Sequence, residues 1–146
     1  MKTTTEMQLV PIHKLVPYVN NARTHSPEQI NKLRSSIREF GFINPVIIDR
    51  DYGVIAGHGR ILAAKEEKID KVPCVFADHL SEAQKKAYII ADNRMAMDAG
   101  WDEELLRVEI EALQGEDFDV LLTGFDEKEL ADLFKDKKVA DRKSVV

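Results

Sequence analysis

Two glycines bracket a histidine and lead into an arginine at Gly57-His58-Gly59-Arg60. The tetrad directly follows the apolar run Val54-Ile55-Ala56 and directly precedes Ile61-Leu62-Ala63-Ala64, so it sits where a strand turns into a helix. Glycine lets the backbone bend and come close to a ligand. The unpaired amides of a helix start, at the positive end of the helix dipole, make an anion site. Arg60 adds a fixed cation whose planar fork suits phosphate oxygens. Gly57, His58, Gly59 and Arg60 are therefore candidate phosphate-binding residues. The spacing matches neither a P-loop nor a dinucleotide fingerprint, and a plain tight turn with a surface arginine fits the same letters. His58 is open between a phosphate contact, an acid or base near neutral pH, and a structural turn residue.

Asp92 and Asn93 fall inside a helical stretch, where both types are mildly unfavourable, which points to a tertiary role. Oxygen ligands of this kind suit Mg²⁺ bound together with substrate phosphates. His25, beside Arg23, reaches the same pocket if its loop folds over it and is otherwise solvated. The single cysteine, Cys74, lies in the apolar run from Val72 to Ala77 and reads as core rather than nucleophile.

The elements that must position these groups follow from patterning. Gln8 to Leu15 reads as a first strand near an edge, because Pro11 interrupts it. A polar loop from Pro17 to Ser26 carries Asn21, Arg23 and His25. Ser26, Pro27 and Gln29 form a helix start, Ile30, Leu33, Ile37 and Phe40 recur at helical spacing, and Gly41 stops the helix. Lys32, Arg34 and Arg38 fall on its other faces, available to solvent or an anion. Pro45–Asp49 and Gly53–Ala56 form a hairpin, and Val72–Ala77 is a further strand that Pro73 assigns to an edge or a strand start. Ser81 with Gln84 opens a long helix ending near Gly100. Asp102 caps another with Leu105, Leu106, Ile110 and Leu113 as its apolar positions, and Asp126 with Glu129 opens a last one holding Leu130, Leu133 and Phe134.

The chain has 146 residues, 44% of them hydrophobic and 32% charged, enough for a packed core. No apolar run is long enough for a membrane span, and the first residues lack the apolar stretch of a secretory signal. One cysteine excludes a disulfide framework and a cysteine-built zinc site. A cytoplasmic protein is the expectation. The net charge of −5 divides unequally, with +2 over residues 1–80 and −7 over 81–146. Between Asp98 and Asp132 there are 13 acidic residues and only Arg107 and Lys128 to oppose them. That segment repels phosphate backbones, so nucleic-acid contact is expected from the first half.

Three segments, in order, resemble the ParB and sulfiredoxin-like superfamily, and ParB-type N-terminal domains most. Asn21-Ala22-Arg23-Thr24-His25 is similar to the family's Asn-Pro-Arg type box, and Gly41-Phe42-Ile43-Asn44-Pro45-Val46 to its strand entry. Gly57-His58-Gly59-Arg60 is similar to its Gly-x-x-Arg box. Ile90-Ala91-Asp92-Asn93 resembles the acidic-plus-Asn pair of a metal–nucleotide site. Further on, Ala99-Gly100-Trp101-Asp102 and Leu122-Thr123-Gly124-Phe125-Asp126 resemble the version that precedes DNA methyltransferases of phages and mobile elements. The resemblance implies a mixed α/β fold with a small mixed sheet, followed by an acidic helical extension. It implies phosphate binding by Asn21, Arg23, Gly57, His58, Gly59 and Arg60, Mg²⁺ held by Asp92 and Asn93, and CTP or ATP as the nucleotide. DNA, a DNA methyltransferase and a second copy of the chain are the partners it suggests, with no membrane.

The expected organisation is a ParB-like domain over residues 1–98, an acidic helical extension over 99–136 packing on it or on a partner, and a flexible tail over 137–146. Partition-type ParB proteins carry a helix-turn-helix reader downstream; the acidic extension is expected in its place. Sulfiredoxin has a cysteine where His58 stands, so sulfinic-acid repair is not expected. Three functions remain open. One is a DNA-associated nucleotide-binding module of a DNA-modification or mobile-element system. The second is an Mg-dependent NTPase, phosphotransferase or nuclease, with His58 or Asp92 as the catalytic candidate. The third is an interaction subunit without catalysis.

Overall fold

The computed structural model describes residues 7–21 and 23–144, with side chains up to residue 135. The chain divides into two compact units, residues 1–98 and 99–146. The first holds strands β1 (Met7–Pro11), β2 (Val46–Ile48), β3 (Val54–Ala56) and β4 (Lys71–Phe76), with helices α1 (Pro27–Phe40), α2 (His58–Glu66) and α3 (Glu82–Asp98). The second holds α4 (Glu103–Gly115) and α5 (Glu127–Ser144). Among the described residues no helix is long and apolar enough to cross a membrane.

The four strands form one mixed sheet in the order β1-β4-β2-β3. The Asp49–Gly53 turn closes the β2–β3 hairpin: Asp49 Oδ1 accepts the amides of Asp51 and Gly53, an Asx-type brace that sets the bend. Chain return through α2 brings β4 parallel to β2, and β1 adds antiparallel on its far side. Pro73 does not mark an edge: β4 is internal. Its pairing with β2 begins only at Cys74, so the missing proline N–H leaves the parallel ladder intact. β1 also ends sooner than its apolar run, because a 3-10 turn over Ile12–Lys14 redirects the chain and points Ile12 and Leu15 into the core.

That core is built from Val10, Val46, Ile48, Val54, Val72 and Cys74 of the sheet, closed by Ile61 and Ala64 of α2. Ala63 and Ala64 are fully buried, and their small side chains let α2 lie directly on the strands. The Cys74 thiol donates to the Val72 carbonyl, and burial pushes its pKa up to about 11, so it is an inert core group. α1 is tied to α2 by charge. Arg34 donates through both Nε and Nη2 to Glu67 and through Nη1 to Glu66, and Arg38 pairs with the other Glu67 oxygen at 2.6 Å. Arg34 and Arg38 are thus neutralised between the two helices rather than held out for an anion.

In the second unit Ile110, Leu130 and Leu133 are buried, with Leu106, Val120, Phe125 and Phe134 packed around them. Leu105 falls to the side of this stripe on α4 and stays exposed, since positions 106, 110 and 113 face the core. The residues expected as a tail continue as helical backbone to Ser144, and the last two lie outside the described residues.

Among the described residues Arg107 is the buried charged residue of this core, and its Nη1 donates to the Leu133 carbonyl at 3.0 Å. Arg107→Ala removes that charge-assisted hydrogen bond, worth about 1.5–3 kcal/mol, and the packing of the side-chain stem. Trp101, the sole tryptophan, lies 5.4 Å from Phe125 in the same unit and reports on it. In urea denaturation followed by Trp101 fluorescence, the Arg107→Ala midpoint is expected to fall clearly below wild type. Arg107→Met, which keeps the stem, is expected to recover part of the loss.

Candidate functional site

The turn between β3 and α2 opens onto a cavity of about 450 Å³ in the first unit. Gly57 caps α2 in the left-handed region, with φ 108° and ψ 17°. A methyl group there would meet Val46 Cγ2 and Arg60 Nη2 at 3.1 Å each, so glycine is needed for conformation and for space. At Gly59 a methyl would lie 2.9 Å from the His25 ring and 3.1 Å from Leu33, which means the polar loop and α1 pack directly onto the turn.

Arg60 lines the cavity half-buried, and its Nη2 donates to the Pro45 carbonyl at 2.8 Å. Its Nε is buried without a hydrogen-bond partner. Burial lowers the arginine's pKa from its ordinary value, and the nearby Asp92 carboxylate works in the opposite direction. A half-buried, incompletely bonded guanidinium has donors left for an anion.

The loop before α1 brings Asn21, Arg23 and His25 to the same cavity. Asn21 Oδ1 accepts the Arg23 amide at 3.2 Å, a local brace that shapes the loop. His25 donates from Nδ1 to Gln29 Oε1 at 2.8 Å, and its Nε2 is buried without a partner. Gln29 is therefore diverted from the reciprocal half of its capping box; only the Ser26 Oγ bond to the Gln29 amide forms. Ser81 and Gln84 complete both halves of theirs.

α3 supplies the remaining wall through Asp92 and Asn93. Asn93 Nδ2 donates to the Ile89 carbonyl at 2.9 Å, which leaves its amide oxygen for other partners. With the Asp92 carboxylate this makes an oxygen-only donor pair, the set a hard divalent cation takes alongside phosphates. Among the described residues no group of three His, Cys, Asp or Glu side chains gathers to hold a metal alone.

All of the sequence-derived candidates line this one cavity: Asn21, Arg23, Gly57, His58, Gly59, Arg60, Asp92 and Asn93. The ring Nε2 of His58 is already taken by the backbone amide of Tyr18. Sequence reasoning missed Asn44, which stands exposed at the rim, and Gln29, whose only signal was a capping motif. Arg34 and Arg38 do not take part.

Comparison with known proteins bears on both units. The profile of the ParB N-terminal domain matches residues 1–93, and that of the ParB-methyltransferase HTH domain matches residues 104–145. The second match corrects the reading of the acidic segment as a mere extension in place of a helix-turn-helix. Its charge concealed it, since 12 acidic residues from Asp102 to Asp132 are all exposed while Arg107 is buried. The ParB-like nuclease domain-containing protein YnaK of Escherichia coli K12 is 49% identical over 76 residues, covering 52% of this chain and 87% of that one. The C-terminally truncated chromosome-partitioning protein ParB from Caulobacter crescentus, solved with CTP-γ-S, superposes with a TM-score of 0.73 at 20% identity, over 88% of this chain and 77% of that one. Sulfiredoxin from Arabidopsis thaliana superposes with a TM-score of 0.50 at 16% identity, covering 58% of this chain and 98% of that one. The chain spans between 25% and 34% of the length of the curated chromosome-partitioning relatives it also matches. A profile match over most of the chain, and a curated relative at nearly half identity covered almost end to end, place it in the ParB N-terminal domain family.

Proposed function

We propose that this chain is a nucleotide-responsive, DNA-associated module of a DNA-modification system, with a nucleoside triphosphate seated on the Gly57–Arg60 turn. One observation carries the reading: a half-buried guanidinium, a glycine-shaped helix start, a second arginine and an Asp–Asn oxygen pair share one cavity. In this reading the α2 amides and Arg60 take the phosphates, and Arg23 neutralises further charge from the loop side. Asp92 and the free oxygen of Asn93 hold Mg²⁺, which would offset phosphate charge when bound. CTP is the first nucleotide to try, because the Caulobacter crescentus relative was solved with a CTP analogue. ATP is the alternative.

The helix-turn-helix match and the solution of the Caulobacter crescentus ParB on its centromeric parS site support a role on DNA. Such a role belongs in the cytoplasm, and the HTH family's description makes a DNA methyltransferase a natural partner. With its described surface so acidic, the second unit offers phosphate backbones few contacts; the first unit, or a partner protein, is the better source. The oxygen pair, with no larger carboxylate group among the described residues, favours binding over a two-metal nuclease.

Titration calorimetry of the whole chain with CTP, ATP and GTP, with and without Mg²⁺, is the test. Saturable heat for one nucleotide, strengthened by Mg²⁺, is expected. Negligible heat with all three would remove the reading, and phosphate release lost in Asp92→Asn would point to the NTPase alternative.

A further inference from the structure

We propose that His58 is a positioning residue: its imidazole anchors the loop carrying Arg23 over the phosphate turn, and releases it on taking up a proton. The loop anchoring stands on geometry alone; its effect on nucleotide binding rests on the function proposed above.

The Tyr18 amide donates to His58 Nε2 at 3.2 Å, across 40 residues of chain. A ring nitrogen that accepts carries no proton, so the neutral ring has its hydrogen on Nδ1. Tyr18 in turn accepts the Asn21 amide on its carbonyl, and Asn21 Oδ1 accepts the Arg23 amide. Three successive bonds thus connect His58 to the backbone of Arg23. Ahead of Tyr18 the chain is already held, because Val16 exchanges backbone bonds with Tyr52 and Val54. His58 is where the free part of the loop is next caught.

The ring is half-buried between the phosphate cavity and an apolar cavity of about 200 Å³, to which Ile12, Leu15, Tyr18 and Ile61 contribute. Charged and titratable groups share these walls from each side: Tyr18, Arg23 and His25 from the loop, Arg60 and Lys65 from α2, and Asp92 from α3. The 3-10 segment and β3 contribute apolar side chains to the second cavity. Cations outnumber the single carboxylate, so a positive charge on the ring is opposed. Burial, and after it the neighbouring His25, hold the His58 pKa below the ordinary 6.5. The sign follows. A histidine whose folded pKa is depressed contributes its contact fully above the ordinary value, and the contact is lost as pH falls through the lowered one.

Amide exchange at Tyr18, resolved by NMR on the full chain without nucleotide and corrected for intrinsic rates, tests the anchor. Wild type is expected to protect Tyr18 at about pH 7.5 and to lose about tenfold in protection once the pH has fallen below the lowered His58 pKa. His58→Gln, with a neutral acceptor near the same place, is expected to keep protection at both pH values. His58→Ala is expected to lose it at both. Equal protection in wild type and His58→Ala, or the same acid loss in His58→Gln as in wild type, overturns the proposal. Where His58→Ala does not fold, the comparison with His58→Gln decides. Titration with CTP and Mg²⁺ then separates the two readings: affinity should follow Tyr18 protection. Absence of CTP binding in wild type with the exchange pattern intact would sink the nucleotide reading and leave the anchor standing.

Discussion

Arg60→Ala is expected to weaken nucleotide binding by about 100-fold or more while leaving the first unit folded. Charge-assisted hydrogen bonds to an anion contribute about 1.5–3 kcal/mol each, and one such bond at the upper end corresponds to roughly a hundredfold in Kd. Stability should respond differently. The guanidinium bonds the Pro45 carbonyl, while its Nε is buried without a partner, so the free protein gains little from it. Truncation forfeits about 1 kcal/mol of hydrogen bonding but relieves that desolvation, and Tm should move by only a few degrees either way. Calorimetric titration alongside a thermal melt checks both halves. Arg60→Lys keeps the charge without the planar fork and is expected to fall between. A large loss of Tm with binding lost in proportion would make Arg60 a structural residue, contrary to this reading.

Gly57→Ala is expected to damage fold and binding together. The backbone there has φ 108°, where a side chain costs about 1–2 kcal/mol, and the added methyl would sit 3.3 Å from the Val46 backbone Cα as well as against Arg60. Backbone cannot yield cheaply, so about 1–3 kcal/mol of overpacking adds to the strain. For a unit of this size the sum lowers Tm on the order of 10 °C or more. Gly124 supplies the control. It lies in the same left-handed region, with φ 96° and ψ −11°, but a methyl there meets nothing within 4 Å, so Gly124→Ala should show the strain alone. Equal losses of stability in the two variants, each followed by denaturation of its own unit, would show that close approach at Gly57 contributes nothing.

The two variants bear on different aspects of one corner. Gly57 allows the chain to turn within contact of β2, and Arg60 uses the space so created. His58 between them carries no phosphate role in the proposed scheme, although it stands at the centre of the motif. Its ring Nε2 accepts the Tyr18 amide, and the loop it holds lines the same cavity.

Most elements could be read along the chain because their signals are local. Ser26, Ser81, Asp102 and Asp126 each cap a helix, and in each case a neighbouring backbone amide three residues on supplies the bond. The Gly57–Arg60 turn was legible for the same reason: strand pattern, glycines and helix pattern are contiguous. What local letters do not contain is which partner a polar group meets. Arg34 and Arg38 look like free cations until α2 brings Glu66 and Glu67 beside them. Gln29 looks like a cap until His25 claims it, and Pro73 looks like an edge residue until β2 pairs just beyond it. The helix-turn-helix was hidden by its acidic surface, since a family match depends on core spacing whereas an electrostatic argument weighs only the exposed side chains.

Local sequence therefore specified the helices, the anion-ready turn and the family to which they belong, because capping, glycine torsion and apolar period act within a few residues. Assembly of Arg23, Arg60, Asp92 and Asn93 around one cavity, and the diversion of His58 to a backbone amide, came only with the packed fold. Those groups join positions 15 to 70 residues apart, and the free energy that selects them is burial and pairing across elements, which no short window of residues encodes.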